Sequence, residues 1–228
     1  GTTFGYTFGS VPGIVKGVGD YMRHKTGLFA SNFAEATGFA KSSPDVPKAD
    51  IQFIFLPAFG EDHAKTKVWG QQGLTIHACC LYPKSTGTIR LASNDPKRHP
   101  LIDPHYLDAE EDLFVLTEGA KQAFEISQQS ALSEIISGYW APEERPESEA
   151  DWARFIRARA ETIYHPVGTA KMGRREDEMA VTDSTGRVHG IENLRVVDAS
   201  LMPIIMGGNT NAPVIMMAEK IVEQMKAA

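Results

Sequence analysis

Val15, Val18 and Met22 recur three to four residues apart between Gly13 and Lys25. That spacing places them on one face of a helix, so a short amphipathic helix is expected there despite two interior glycines. Residues 1–12, rich in Gly, Thr and aromatics, read as loop. Residues 31–40 and 51–56 (Ile-Gln-Phe-Ile-Phe-Leu) read as strands on either side of a Ser/Pro/Asp turn at 42–47. The polar, Gly-containing stretch 60–72 reads as an exposed loop. Residues 74–81 and 88–93 flank Lys84-Ser85-Thr86-Gly87, a pattern that predicts a hairpin. The first half of the chain is therefore expected to form a mixed or antiparallel sheet.

Further on the period lengthens. Leu113, Leu116, Ala120, Ala123, Phe124 and Ser127 trace one stripe of a helix, with Asp108 as its expected N-cap and Glu111 reaching back in a capping box. A charged, Pro-marked break at 141–147 precedes Ser148 and Asp151, which open a helix carrying Trp152, Phe155 and Ile156. Tyr164-His165-Pro166 reads as a turn, followed by a polar segment to about residue 187. Leu194-Arg195-Val196-Val197-Asp198 predicts a short buried strand ending in a carboxylate. Gly207-Gly208-Asn209-Thr210-Asn211 predicts a loop feeding a helix with Pro213 in its first turn, where a missing N–H costs nothing. Val214, Met217, Ile221, Val222 and Met225 are that helix's expected buried stripe.

Composition narrows the class. In 228 residues, 42% hydrophobic and 23% charged, there is enough apolar material for a packed core. A net charge of -6 with scattered basic residues argues against nucleic acid as a partner. The two cysteines, Cys79 and Cys80, are adjacent and unsuited to an ordinary disulfide, so a reducing, cytoplasmic setting is expected. No apolar run approaches the ~20 residues of a membrane span, which leaves only peripheral membrane association to consider. The opening Gly-Thr-Thr-Phe-Gly, without an initiator Met or a signal peptide, reads as the middle of a longer protein.

Three elements carry candidate chemistry. His165 has the side chain suited to removing a hydroxyl proton near neutrality, although a lone histidine serves equally as a structural residue. Asp198 at a strand end could bind sugar-like hydroxyls, or simply cap the Ala199-Ser200 corner. The glycines at 207 and 208 permit close backbone approach, and the helix N-terminus behind them would stabilise negative charge on an electron-accepting ring. The plain alternative is an ordinary loop with Asn211 as N-cap. His99, Asp103 and His105 are interrupted by Pro100 and Pro104 and make no metal site, His189 is expected to fix a turn, and no Gly-x-Ser-x-Gly elbow is present.

Taken together, Tyr164-His165-Pro166-Val167-Gly168-Thr169-Ala170-Lys171-Met172-Gly173, Arg187-Val188-His189-Gly190, 194–203 and 207–213 resemble the C-terminal signature of the glucose–methanol–choline oxidoreductase family. Asn32-Phe33-Ala34-Glu35-Ala36 and the stretch 87–96 resemble its choline dehydrogenase branch. The resemblance implies that His165 takes the proton of an alcohol while hydride passes to the flavin of FAD. It implies that Asn209 hydrogen-bonds the alcohol oxygen, that Asp198 and Ala199 lie at the ribityl and diphosphate region, and that Thr210 and Asn211 lie along the pyrimidine edge. It also puts Glu35 near the substrate, where it could pair with a quaternary ammonium group, with Phe29, Phe33 and Trp69 nearby; a structural carboxylate is the plainer alternative. The family's Gly-x-Gly-x-x-Gly element, which seats the diphosphate, is absent from these 228 residues.

The expected architecture is α+β. Residues 1–162 form an antiparallel-sheet substrate-binding domain with helices, and residues 163–228 return into an FAD-binding α/β domain whose N-terminal half is absent. The expected activity is oxidation of a primary alcohol, choline foremost, to an aldehyde, with the chain alone inactive. The rival expectation is a non-catalytic substrate- or partner-binding module that self-associates through surface meant for the missing half.

Overall fold

A computed structural model describes residues 11–59 and 72–227. The chain divides into two compact units: Gly1–Cys80 with Leu113–Glu161, and Leu81–Asp112 with Thr162–Ala228. The sequence boundary after residue 162 falls one residue from the last of these junctions, between Glu161 and Thr162. The segment Leu81–Asp112, read from sequence with the first part, groups with the C-terminal unit.

In the first unit, helix α1 (Val11–His24) forms where the spacing predicts it, but Val15, Val18 and Met22 face outward and only Gly17 is buried. Strands β1 (Ala36–Ala40), β2 (Ile51–Leu56) and β3 (Thr75–Cys80) make an antiparallel sheet in the order β1-β2-β3. The first strand begins at Ala36 rather than residue 31, because Phe33 has a φ of 73° that no extended strand tolerates. The turn at 42–47 is closed by Asp50, whose carboxylate accepts from the Ser42 N–H (2.7 Å) and hydroxyl.

The expected hairpin of 74–81 with 88–93 does not form. β3 pairs with β2, Phe53 facing Ala78, while β4 (Thr88–Arg90) pairs with β5 (Leu101–Asp103) in the second unit. A hydrophobic partner won over the nearer strand: β2 is the most buried of the three and β3 completes its cover, while β4 and β5 are exposed along their length.

Helix α2 (Glu110–Ser127) lays Ala123 on the sheet, where it forms the core with Ile51 and Phe53. Gly119 lets it approach: a Cβ there would stand 3.0 Å from the Ala78 Cβ. Ser127, the polar member of the stripe, returns its hydroxyl hydrogen bond to the Phe124 carbonyl at 2.6 Å. The expected Asp108–Glu111 capping box is not made. The helix begins two residues after Asp108, and its first turn is tied outward instead. Asp112 accepts from the Lys84 and Ser85 N–H groups (2.7 and 2.9 Å), and the Ala109 N–H donates to Ser85 Oγ (3.0 Å). After the short helix α3 (Ser130–Ser133), α4 (Glu149–Arg159) opens at Ser148 and Asp151 as expected, and the two residues form a capping box. Its Trp152 packs edge-on against Phe124, which stacks on Tyr139.

Cys79 and Cys80 are free, and burial pushes the Cys79 thiol up to about 11. At pH 8 the reactive thiolate is therefore scarce. Alkylation of Cys79 by iodoacetamide in the native chain should run on the order of a hundredfold slower than that of a free cysteine, as peptide mass mapping over time would show. Among the described residues no helix is long and apolar enough to cross a membrane.

Candidate functional site

The second unit is held together by loop-to-loop hydrogen bonds more than by regular elements. The predicted strand 194–198 is reduced to a single bridge, Arg195 with Arg187, flanked by Val188 N–H to Leu194 O and Val196 N–H to Gly186 O. Asp198 then caps a 3-10 turn, Ala199–Leu201: its Oδ1 accepts from the Ser200 N–H (2.8 Å) and the Ser200 hydroxyl. The local cap reading of Asp198 is thus realised, while its exposed carboxylate keeps one face to solvent.

That turn positions the histidine segment. Ala170 N–H donates to Ser200 O (3.1 Å) and Met172 N–H to Leu201 O (2.8 Å), while Leu201 itself is fully buried. Thr182, also fully buried, donates its hydroxyl to Ala170 O at 3.1 Å. Lys171 pairs with Asp177 at 2.8 Å, which holds the Asp177 carboxyl below its usual range. Burial would raise the Asp183 carboxyl, but hydrogen bonds from the Thr185 hydroxyl and the Thr185 and Arg187 N–H groups outweigh it and hold the group low. His189 Nε2 meets Gly173 O at 3.2 Å and so fixes a turn, as expected. Apart from the His189 turn and the Asp198 cap, this scaffold is not legible in the polar stretch after residue 163. A threonine as inaccessible as Thr182 carries no pattern that a window of neighbours reveals.

Upstream, Tyr164 turns the chain at φ 62°, its N–H held by Thr162 Oγ1 at 2.9 Å, and Gly168 (φ 88°) turns it again. Between them the His165 ring projects toward the loop 207–210. Asn209 Nδ2 lies 3.3 Å from His165 Nε2, and Thr210 Oγ1 lies 2.9 Å from His165 Nδ1. Residues 44 and 45 positions apart in sequence thus meet on the two nitrogens of one ring. Thr210 is buried, Asn209 is exposed and His165 lies between.

The loop holding Asn209 is itself shaped by glycine. A Cβ on Gly207 would overlap the Tyr82 hydroxyl, whereas one on Gly208 would meet nothing within 4 Å, so the loop presents open space on the Asn209 side. Helix α5 (Asn211–Ala227) follows, with Pro213 in its first turn as expected. Its first helical bond runs from the Val214 N–H to Thr210 O (3.0 Å), which makes Thr210 the N-cap instead of Asn211. Val214, Met217 and Ile221 turn inward, but Val222 and Met225 of the expected stripe are 40% and 48% exposed, along with Ile215 and Met216.

Of the sequence-predicted residues, His165, Asn209 and Thr210 converge; Asn211 stands at the start of α5, and Asp198 and Ala199 form the turn that braces the histidine segment. Glu35 belongs to the first unit, exposed just before edge strand β1, with its N–H donating to Phe55 O. Phe29 and Phe33 are exposed, and Trp69 lies outside the described residues. Clefts of about 360 and 440 Å³ in the second unit are lined from 172–195 and by neither His165 nor Asn209. At the paired side chains Asn209 is exposed and His165 half-buried. Among the described residues no three His, Cys, Asp or Glu side chains gather as metal ligands would.

An imidazole beside an amide donor, on an open face at a helix N-terminus, defines a site that can accept a hydroxyl proton and hold the oxygen left behind. Residues 83–218 match the model of the GMC oxidoreductase family, and the chain belongs to that family. It is 41% identical over 222 residues to an alcohol dehydrogenase [acceptor] of Pseudomonas putida, covering 97% of this chain and 40% of that protein. It is 41% identical over 201 residues to the mitochondrial choline dehydrogenase of Homo sapiens, covering 88% of this chain and 34% of that protein. Among solved structures, a formate oxidase of Aspergillus oryzae, studied for modification of its FAD, matches with a TM-score of 0.83 at 25% identity, covering 95% of this chain and 42% of that one. The chain thus spans about 40% of the length of the alcohol dehydrogenase it matches.

Proposed function

We propose that this chain is the catalytic C-terminal part of an FAD-dependent alcohol oxidoreductase, with His165 as the base and Asn209 as its partner. The observation that carries the reading is the 3.3 Å approach of Asn209 Nδ2 to His165 Nε2 beside open space at Gly208. An alcohol oxygen entering there would donate its hydrogen to Nε2 and accept one from Nδ2. Deprotonation makes the alcohol carbon a better hydride donor, and the two side chains fix its position.

The residues present fit a flat, electron-accepting ring: Gly208 leaves room for close approach, and the N-terminus of α5 offers a positive field. When bound, the flavin of FAD accepts the hydride. Thr210 and Asn211 would border it, and Asp198 and Ala199 would stand toward its ribityl and diphosphate portion. The exposed Ile215, Met216, Val222 and Met225 of α5 support the view that residues 163–228 complete a flavin domain whose remainder covers them. Residues 1–162 would supply the substrate side. Glu35 is proposed there as a substrate residue, suited by its charge to a cationic alcohol such as choline.

Because the diphosphate-binding Gly-x-Gly-x-x-Gly element is missing from the 228 residues, the chain alone should purify colourless and reduce no dye with primary alcohols. Joined to an N-terminal flavin-binding half from a relative of the family, it should retain FAD and oxidise primary alcohols. A flavin-bearing hybrid inert toward every alcohol tried would refute the proposed activity.

A further inference from the structure

Thr210 occupies the N-cap position of α5, where a threonine hydroxyl ordinarily accepts from the N–H two or three residues on. Here the residue three on is Pro213, which has no N–H to give. The hydroxyl points elsewhere: Oγ1 lies 2.9 Å from His165 Nδ1, and Thr210 is only 7% exposed, so water competes poorly for the contact. We infer that Thr210 is a positioning residue that sets the tautomer of His165, holding the proton on Nδ1 and leaving the Nε2 lone pair toward Asn209 and the incoming hydroxyl. This rests on the reading of His165 as base and adds to it.

A neutral imidazole carries one N–H, so its two nitrogens must play opposite parts. The amide nitrogen of Asn209 is a donor only; facing Nε2 at 3.3 Å, it requires the lone pair there. Nδ1 then bears the hydrogen and donates it to Thr210 Oγ1. In the opposite tautomer Nε2–H would confront the amide N–H, donor against donor, even though the threonine hydroxyl could still donate to Nδ1. Only one tautomer satisfies both contacts, and it is the one a base acting through Nε2 needs. When Nε2 takes the hydroxyl proton, the O–H bond breaks, a second N–H forms, and the resulting imidazolium keeps its Nδ1–H bond to Thr210 Oγ1 unchanged. The threonine therefore has the same partner before and after transfer, so the ring need not move.

Nitrogen-15 spectra of the 228-residue chain carrying labelled histidine read the tautomer directly, with the His165 signals assigned by their absence from H165Q. The native chain should show a protonated Nδ1 and a lone-pair Nε2. T210V, which keeps the shape and deletes the hydroxyl, should shift the tautomer ratio about fivefold toward Nε2–H, the equivalent of one hydrogen bond; T210S should restore the native ratio. A native Nε2–H tautomer, or a T210V spectrum identical to the native one, would overturn the inference. If T210V does not fold, the native and T210S spectra still decide. Loss of the base assignment would register separately, as undiminished turnover by a His165 variant of the complete enzyme.

Discussion

Replacing His165 by Ala in the complete oxidoreductase should lower the rate of alcohol oxidation by roughly 10²–10⁴-fold, the range a positioned general base contributes. The substitution removes the only group in the described site that can accept the hydroxyl proton at the Asn209 face, since Asn209 donates and Thr210 sits on the far side of the ring. The flavin should stay bound, because the side chain proposed to be lost reaches toward the substrate and leaves the α5 N-terminus and the Ala199–Leu201 turn intact. Steady-state rates with a primary alcohol and a dye acceptor, normalised to flavin content, measure the effect. Asn209 should matter less, since a hydrogen bond to the oxygen is replaceable by water while a base is not.

The largest effect on stability is expected at Leu201. It is fully buried in the second unit, and its backbone holds the histidine segment: Leu201 O accepts from the Met172 N–H and its own N–H donates to Asp198 O. Leu201→Ala should cost about 2–5 kcal/mol, the transfer of the lost side chain plus the cavity left behind. The urea midpoint of the chain should fall accordingly with little change in slope. A loss below about 1 kcal/mol would mean that the surroundings collapse onto the smaller side chain and that the turn is not the keystone argued for.

The elements that could be read from sequence are those set by neighbours. The helix opening at Ser148 and Asp151, the strand Ile51–Leu56 and the stripe through Ala123, Phe124 and Ser127 depend on contacts within a turn or two, and each is found. Several of the misreadings involve a choice of distant partner. Lys84-Ser85-Thr86-Gly87 has turn chemistry, yet its N–H groups go to Asp112 and its strands go to others. Val196 and Val197 favour a strand, yet Val196 finds the Gly186 carbonyl instead of a ladder. Asp108 precedes its helix with the right spacing to Glu111, but the helix starts later and Asp112 does the anchoring. The site divides the same way. His165 stands out by its own chemistry and Asn209 by likeness to a family, and nothing local indicates that their side chains meet across 44 residues. The role of Thr210 is hidden further, since it depends on a hydroxyl contact with a ring 45 residues away.

The paired geometry at His165 and Asn209 is most directly tested by mixing the complete, flavin-bearing enzyme with a primary alcohol in the absence of oxygen and following the flavin's visible absorbance. The account predicts rapid bleaching in the native enzyme, near arrest in H165A of equal flavin content, and partial recovery when free imidazole is added. Equal bleaching by the native enzyme and the variant would contradict it.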